Sequence, residues 1–257
     1  MPADFCIVMP SYRAESVLAA TVARLPAAME VKNGRLIIVN DASPDATGRV
    51  ADELAEAHPW ITVIHHQSNR GYGGAQKTGL REGLRLGCQG FAIVHADGQY
   101  APELVLDLLA SILAGEADLV QGSRMLQGGA RAGGMPPARY YANRALTALE
   151  NLAFGTRLAE FHSGYMLYSR RLLEALPFTA LQDNFNFDAE IILLAHLAGF
   201  PCRERAIPTH YGEESSSLDP IPYGVNVLKM IGRHWLGHYD RLLRETPRSP
   251  MDINSPS

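Results

Sequence analysis

Short hydrophobic segments alternate with amphipathic ones along the first half of the chain. The short segments lack the alternating pattern of a half-exposed strand, which is typical of parallel strands that are covered on both faces. Strands are therefore predicted at Phe5–Met9, Leu36–Val39, Ile61–Ile64, Phe91–Val94 and Leu119–Val120.

The segments between these strands carry hydrophobic residues at the spacing of a helix. The predicted helices are Ser16–Met29, Ala46–Ala57, Gly74–Leu86 and Pro102–Leu113. Four successive strand–helix units require right-handed crossovers, so they predict an α/β fold with a mostly parallel central sheet flanked by helices. Ligands of such sheets bind beyond the carboxyl ends of the strands.

The regular alternation ends after Gly122. The Gly- and Pro-rich segment Gln127–Pro137 predicts a loop. Beyond it we predict helices at Ala138–Phe154, Phe187–Leu197 and Pro222–Leu243, strands at Tyr165–Ser169 and Arg203–Ile207, and a polar loop at Thr209–Pro220. We expect one domain over residues 1–243, with a donor half at about 1–125 and an acceptor half at 126–243. A disordered tail is expected at 244–257.

The composition is that of an ordinary globular protein, with 47% hydrophobic and 19% charged residues among 257. The net charge of -4 argues against a nucleic acid partner, since binding to a phosphate backbone requires a basic surplus. No hydrophobic segment reaches the ~20 residues of a membrane-spanning helix, and three scattered cysteines indicate buried thiols in a reducing compartment. We expect a cytoplasmic protein, at most peripheral at the inner face of the membrane.

Polar residues follow the first two predicted strands. Pro10, Tyr12 and Glu15 come after the first, and Asp41 opens a polar segment after the second. A turn and a helix cap would explain the second segment in part. Two adjacent strand ends with an aromatic ring and carboxylates also suit a nucleoside, and together they favour a ligand.

A glycine-rich loop follows the third strand. It runs from Asn69 through Gly71 to Gly74 and leads into a helix that carries Lys77. Glycines allow backbone amides to approach an anion, and a helix N-terminus attracts phosphate. The alternative is a flexible connection, because the loop matches neither a Walker motif nor a dinucleotide fingerprint.

The fourth strand ends in Asp97-Gly-Gln99. A carboxylate at the end of a buried strand is costly unless it meets a cation or hydrogen-bond donors. Asp97 and Gln99 offer two oxygen ligands for a divalent ion whose other ligands would be water and diphosphate. The alternative is that Asp97 caps the next helix. The position of Asp97 at the edge of the sheet favours the metal.

Six short motifs, taken in order, resemble those of a known enzyme family. They are Pro10-Ser-Tyr12, Asn40-Asp-Ala-Ser-Pro-Asp-Ala-Thr47, Asn69-Arg-Gly71, Asp97-Gly-Gln99, Gly122-Ser-Arg124 and Ser163-Gly-Tyr165. With them the chain resembles the inverting GT-A glycosyltransferases of the family 2 type over about Phe5 to Ile207. Within that family it is most similar to dolichol- or polyprenyl-phosphate mannosyl- and glucosyltransferases.

The resemblance implies a role for each matching residue. The nucleobase would contact Pro10, Tyr12 and Glu15, and Asp41 would lie near the ribose or base. Mg²⁺ or Mn²⁺ on the diphosphate would be held by Asp97 and Gln99. The acceptor phosphate would face Arg124 and Arg139.

The chain departs from the family pattern in two ways. His95 stands where the family usually has its first aspartate, and it could ligate Mn²⁺, contact the ribose or be a packed histidine. The C-terminal membrane segment of many lipid-phosphate enzymes of this group is not expected here. That weakens the prediction of a lipid acceptor but leaves the prediction of a nucleotide-sugar donor intact.

Inverting transfer requires neutralisation of the departing diphosphate, to which Arg124 would contribute, and a base if the acceptor is a hydroxyl. Asp188 is our candidate base, although an acid in a first helical turn is also stabilised by the helix dipole. A phosphate acceptor would need no base. His162 could contact sugar or acceptor or be a buried histidine, and His210 could supply a metal or diphosphate contact from a lid-like loop.

The last predicted helix places Val225, Leu228, Ile231, Trp235 and Leu242 near one stripe, which favours core packing or a homodimer contact over a membrane-surface face. We expect an inverting hexosyltransferase that moves a sugar from a GDP- or UDP-linked donor to a polyprenyl phosphate or a saccharide. The first alternative is a non-catalytic nucleotide-sugar-binding protein. The second, a nucleotidyltransferase, would need a basic glycine-rich loop after the first strand.

Overall fold

A computed structural model of the chain describes residues 3–25, 29, 33–208 and 220–245. Its strands are β1 (Phe5–Ser11), β2 (Gly34–Asn40), β3 (Ile61–His65), β4 (Gly90–Ile93), β5 (Leu119–Ser123), β6 (Met166–Ser169) and β7 (Cys202–Ala206). Its α-helices are α1 (Leu18–Ala23), α2 (Thr47–Ala57), α3 (Gly71–Arg85), α4 (Val105–Leu113), α5 (Gly129–Ala132), α6 (Pro137–Phe154), α7 (Arg170–Ala175), α8 (Phe187–Leu197), α9 (Pro220–Trp235) and α10 (His238–Glu245).

The strands form one seven-stranded sheet in the order β3-β2-β1-β4-β6-β5-β7. β6 runs antiparallel to both of its neighbours, and the other pairs are parallel. The prediction of a mostly parallel sheet flanked by helices is confirmed. The carboxyl ends of β1, β2 and β4 therefore lie side by side at one edge, where the sequence analysis expected a ligand.

Hydrophobic residues cover both faces of this sheet. On β1, the side chains of Phe5, Ile7 and Met9 belong to the core on one face, and those of Cys6 and Val8 belong to the core on the other. Successive side chains of a strand point to opposite faces, so burial on both sides removes any alternation between hydrophobic and polar residues. That is the physical reason why uninterrupted hydrophobic segments marked the strands correctly.

The second half differs from the sequence prediction in three places. The predicted loop Gln127–Pro137 contains a 3-10 turn at Leu126–Gly128 and α5. α7 was not predicted from the sequence; its N-terminus is capped by the Ser169 hydroxyl, 3.1 Å from the backbone N of Leu172. The predicted last helix, Pro222–Leu243, is two helices, because Gly237 adopts a φ of 71° that ends α9.

The termini of other helices also differ from the predictions. α1 begins at Leu18 and ends at Ala23, so it is shorter than the predicted Ser16–Met29. α10 extends to Glu245, and the rest of the predicted tail lies outside the described residues. Across the part of the chain that the structure describes, no helix has the length and hydrophobicity needed to cross a bilayer.

We predict that Gly79 is required for the packing of α3 on β1. A Cβ at this position would overlap the Val8 side chain, which is fully buried in the sheet. Gly79→Ala should lower the free energy of unfolding by about 1–3 kcal/mol, because a buried strand residue cannot move aside. Urea unfolding monitored by circular dichroism would measure the change.

The matched control is Gly232→Ala on α9, where a Cβ would meet nothing within 4 Å. There alanine should raise the free energy of unfolding by up to about 1 kcal/mol, because it is the better helix former. Equal effects of the two substitutions would contradict the close approach of α3 to β1.

Candidate active site

The loops after β1 and β2 are joined by hydrogen bonds at the carboxyl edge of the sheet. The backbone N of Arg13 donates to the Ser43 hydroxyl over 2.7 Å, and Glu15 Oε2 accepts from the backbone N of Ala46 over 2.7 Å. Tyr12 remains exposed, with the guanidinium of Arg13 5.5 Å from its ring centroid. The edge thus presents an accessible aromatic ring beside Pro10, as the predicted base site requires, while Glu15 is partly engaged within the protein.

Asp41 is buried behind these loops and holds the glycine-rich loop in place. Its Oδ1 accepts from the backbone N of Arg70 over 2.8 Å and contacts His66 Nδ1 at 2.6 Å. Its Oδ2 accepts from the backbone N of Gly71 over 2.9 Å. Asn69 braces the same loop, because its side chain donates to Asp41 O and accepts from the backbone N of Gly71. Asp41 and Asn69 are therefore engaged with protein groups.

The backbone amides of the glycine-rich loop already have hydrogen-bond partners within the protein. Besides the Gly71 amide, the backbone N atoms of Gly73 and Gly74 are also taken, since both donate to Asp183 O. Lys77 is buried, and its ammonium donates to Leu181 O and to Asp183 Oδ1, the latter over 2.8 Å. Loop and lysine thus attach α3 to residues 181–183, and their contact with a phosphate stays a prediction.

A buried chain of hydrogen bonds connects β4 with α8. The Tyr72 hydroxyl lies 2.9 Å from His95 Nε2 and donates to Asp188 Oδ2 over 2.7 Å. Gln76 Nε2 donates to Asp188 Oδ1 over 3.0 Å. Because the Tyr72 proton goes to the carboxylate, its oxygen accepts from His95 Nε2–H. Tyr72 and Gln76 lie one turn apart on α3, and the sequence analysis identified neither of them.

Burial shifts the pKa of both ends of this chain. Burial raises the pKa of Asp188 to about 6, against the opposing effect of the hydrogen bonds from Tyr72 and Gln76. Burial lowers the pKa of His95, so its imidazole is neutral near pH 7. Both Asp188 oxygens accept hydrogen bonds from side chains of α3 inside the protein. This placement does not support Asp188 as a base that contacts an acceptor.

Asp97 lies in an exposed turn just beyond β4. Its Oδ1 accepts from the backbone N of Gln99 over 3.0 Å, and the turn is anchored where Gly98 O accepts from Arg24. One carboxylate oxygen therefore remains without a protein partner in the described residues. No group of three acidic, histidine or cysteine side chains within those residues forms a metal site. His210 lies outside the described residues.

The oxygen ligands around Asp97 fit Mg²⁺ or Mn²⁺ provided that the diphosphate of a nucleotide is bound as well. Mg²⁺ is usually held by one or two carboxylates together with phosphate oxygens and water. Asp97 supplies one such oxygen from an exposed position, and Gln99 is close behind it in the turn. A cation here would therefore depend on the diphosphate of a bound nucleotide for most of its remaining ligands.

Arg124 is held by a fully buried carboxylate. Its Nε donates to Glu160 Oε1 over 2.9 Å, its backbone N donates to Glu160 Oε2 over 3.0 Å, and another guanidinium nitrogen donates to His162 O over 2.6 Å. Asn143 of α6 donates to the same Glu160 oxygen over 3.0 Å. The guanidinium carbon lies 5.8 Å from the Tyr100 ring centroid. The arginine is thus fixed in orientation and keeps part of its surface accessible.

The other two predicted acceptor residues have opposite environments. Arg139 is exposed in the first turn of α6, one helical turn before Asn143 and on the same face. His162 points into the protein, with Nδ1 2.6 Å from the Tyr223 hydroxyl and Nε2 3.1 Å from Glu150 Oε2 without hydrogen-bond alignment. Burial raises the pKa of Glu150, opposed by His162. The alternative of a buried histidine therefore describes His162.

Comparisons with known proteins agree with this architecture. The family model for Glycosyl transferase family 2 matches residues 6–176. The polyprenol monophosphomannose synthase of Mycolicibacterium smegmatis is 34% identical over 84% of this chain and 80% of its own length. The undecaprenyl-phosphate mannosyltransferase of Micrococcus luteus is 33% identical over 68% of this chain and 70% of its own length.

Solved structures support the fold alone. Glucosyl-3-phosphoglycerate synthase from Mycobacterium tuberculosis in complex with UDP has a TM-score of 0.62 and 17% identity, over 90% of this chain and 80% of that chain. The same enzyme with Mn²⁺, UDP-glucose and phosphoglyceric acid has a TM-score of 0.59 and 16% identity, over 93% and 80%. The expected GT-A fold is confirmed.

We predict a pH-dependent stability that comes from Asp188. Its pKa of about 6 exceeds the ordinary value of 3.8, so the folded state binds this proton more tightly than the unfolded state. The contribution is therefore favourable at low pH and is lost as the pH rises from about 4 through 6, by on the order of 3 kcal/mol. Asp188→Asn removes this titrating group. Urea unfolding of both proteins should therefore show that the free energy of unfolding of the variant, minus that of the unmodified protein, is higher at pH 8 than at pH 4.

A second variant, Tyr72→Phe, tests the cause of this behaviour. It removes the hydroxyl that lowers the Asp188 pKa, so the carboxyl carbon followed by NMR should titrate at a higher pH than in the unmodified protein. A stability profile for Asp188→Asn that runs parallel to that of the unmodified protein would contradict the buried chain.

Proposed function

This chain belongs to glycosyl transferase family 2, and from that premise we propose that it transfers a hexose from a GDP- or UDP-linked donor to a polyprenyl phosphate, with inversion. Membership makes it a glycosyltransferase. The acceptor class is proposed because two relatives, identical at about a third of the aligned positions, are named polyprenol monophosphomannose synthase and undecaprenyl-phosphate mannosyltransferase. A saccharide remains the second candidate acceptor.

The observation that carries the acceptor proposal is the state of Asp188. Transfer to a sugar hydroxyl requires a base within reach of its proton, whereas a phosphate oxygen is already ionised near pH 7. Both oxygens of Asp188 are occupied by Tyr72 and Gln76 inside the protein. A nucleophile that needs no base is therefore the better match to this site.

The donor would bind across the carboxyl ends of the first strands. Tyr12 lies exposed there and offers its ring to a base, with Pro10 and Glu15 beside it, and Asp41 fixes the loops behind. Asp97 and Gln99 would hold Mg²⁺ or Mn²⁺ against the diphosphate. Bound there, the cation would supply positive charge to the leaving group.

The acceptor phosphate would approach from the side of α6. Arg124, oriented by Glu160, and Arg139, exposed one turn before Asn143, would orient the phosphate. One phosphate oxygen then forms a bond to the anomeric carbon while the bond from that carbon to the diphosphate breaks on the opposite face. This direct displacement inverts the configuration and leaves a nucleoside diphosphate.

The alternative is a non-catalytic protein that binds nucleotide sugars, which the replacement of an acid by His95 motivates. His95 is buried and neutral, and it is hydrogen-bonded to Tyr72. Binding of nucleoside diphosphates with no transfer to any polyprenyl phosphate would favour this alternative.

We predict that nucleoside diphosphates bind together with a metal through Asp97. UDP or GDP should raise the melting temperature in the presence of Mn²⁺ or Mg²⁺ and lose most of that effect in EDTA, because the protein supplies few ligands of its own. Asp97→Asn keeps an oxygen for the Gln99 amide but removes the charge. It should weaken binding in the presence of metal by about tenfold or more, measured by isothermal titration calorimetry.

Asp107→Asn is the matched control, since Asp107 is exposed on α4 and makes no described contact with the strand ends. It should bind nucleotides as the unmodified protein does. Equal melting-temperature shifts with Mn²⁺ and with EDTA would refute the cation site at Asp97.

We predict that Arg139 acts on the acceptor and not on the donor. Arg139→Gln should raise the KM for a polyprenyl phosphate by about five- to tenfold, because a charge-assisted contact to phosphate is lost. The KM for the nucleotide sugar and the melting temperature should stay unchanged. Arg49→Gln, an exposed arginine on α2, is the control. An equal rise in both KM values for Arg139→Gln would contradict this role.

A further inference from the structure

The helix α6 has its polar and hydrophobic faces reversed. Its buried side includes Asn143, Thr147 and Glu150. Its exposed side is mostly hydrophobic and includes Ala138, Tyr141, Ala142, Ala145, Ala148, Leu149 and Leu152, with the two cations Arg139 and Arg144 beside them. A surface helix of a water-soluble protein normally shows the opposite arrangement. Leu152 is 83% exposed and Tyr141 66%, so this face has no cover among the described residues.

The neighbouring helix α9 repeats this feature. It packs against α6, and Phe154 at the end of α6 contacts the ring of His234. The side of α9 turned to solvent presents Val225, Leu228 and Trp235, of which Leu228 is 57% and Trp235 71% exposed. Two of the residues predicted in the same stripe, Ile231 and Leu242, pack inward. We call the exposed sides of α6 and α9 together the α6–α9 face.

The charges on the two helices have one sign. Arg139 and Arg144 lie on α6, and Lys229 and Arg233 lie on α9. The single carboxylate on these two helices is Glu150, which is fully buried. A hydrophobic face bordered by cations is complementary to a surface that is apolar inside and anionic at its boundary.

We propose that the α6–α9 face docks on the surface of a membrane that contains anionic phospholipids. Tyr141, Leu152, Leu228 and Trp235 would enter the boundary between headgroups and acyl chains, while Arg144 and Lys229 contact lipid phosphates. The docking deepens the proposed function, on which it rests for its biological purpose, because a polyprenyl phosphate must be taken from a membrane. The binding itself requires no donor.

A second copy of the chain is the competing occupant of this face. In a symmetric dimer the same patch would meet itself, so Arg139, Arg144 and Lys229 of each copy would be brought together, whereas Arg233 is paired with Glu190 of α8 at 3.5 Å. No exposed carboxylate on either helix could compensate them. Like charges facing each other at an interface cost binding energy. The charge pattern therefore favours a lipid surface over self-association.

The experiment uses Trp235 as a reporter. The chain has two tryptophans, so Trp60→Phe leaves Trp235 alone. The full chain carrying this substitution is mixed with vesicles of phosphatidylcholine, either pure or with phosphatidylglycerol. We expect flotation with the anionic vesicles, a blue shift of the Trp235 emission and quenching by brominated acyl chains. Pure phosphatidylcholine should give weaker binding, since the cations then lack partners.

The variants separate docking from folding. Leu152→Glu with Leu228→Glu should reduce flotation with anionic vesicles by at least about tenfold, because both side chains would have to carry charge into the bilayer boundary. Leu113→Glu, at an exposed leucine on α4, is the matched control and should float as the unmodified protein does. Circular dichroism and Mn²⁺-dependent nucleotide binding report whether each variant is folded.

Three outcomes would overturn the proposal. They are no flotation with anionic vesicles, equal flotation of the double variant, and a dimer in solution that Leu152→Glu with Leu228→Glu dissociates. The third would assign the face to a second copy. Loss of transfer with vesicle binding intact would count against the proposed function alone. A protein that does not bind vesicles, but still binds nucleotides and transfers sugar to a detergent-solubilised acceptor, would count against docking alone.

Discussion

The contact between α3 and the segment 181–188 is the interaction on which the rest of the site depends. Lys77 binds Leu181 O and Asp183, and Tyr72 binds Asp188, so α3 is fastened to the later half of the chain by polar groups, of which Lys77 and Asp188 are buried. A buried charge without its partner costs several kcal/mol. Each of these groups therefore requires the others, and the two halves share one edge of the sheet.

The hydrophobic pattern predicted the strands and helices of this fold better than it predicted the order of the strands in the sheet and the breaks between helices. Segments such as Leu36–Val39 identify strands because burial on both faces demands hydrophobic residues throughout. The position of β6 between β4 and β5 could not be predicted, because four residues carry no information on which neighbours they pair with. Gly237 shows a related limit. Its left-handed φ depends on the packing of α9 and α10, while the amphipathic pattern runs through it.

The sequence predicted a set of polar residues for the site, but it could not tell which of their side chains face outward. Asp41, Lys77 and His162 were predicted to contact ligands, and in the structure their side chains bind protein groups. The same carboxylate, ammonium and imidazole chemistry serves both purposes, and the choice depends on side-chain direction at a strand end or helix start. Asp97 and Arg139 remain exposed, as a contact to a ligand requires.

The reversed polarity of α6 connects the acceptor site with the surface of the protein. On its inner side Asn143 binds Glu160, which orients Arg124, and on its outer side Leu152 and Tyr141 are exposed. One rigid helix thus separates the arginine from the hydrophobic face by about 10 Å, the diameter of a helix with its side chains. A phosphate at the headgroup level of a bilayer would therefore need to travel no further than one helix width to reach Arg124. In the proposed arrangement, the polar residues on the inner side of α6 would serve the acceptor site and the hydrophobic residues on its outer side would serve the membrane contact, so one helix would perform both tasks.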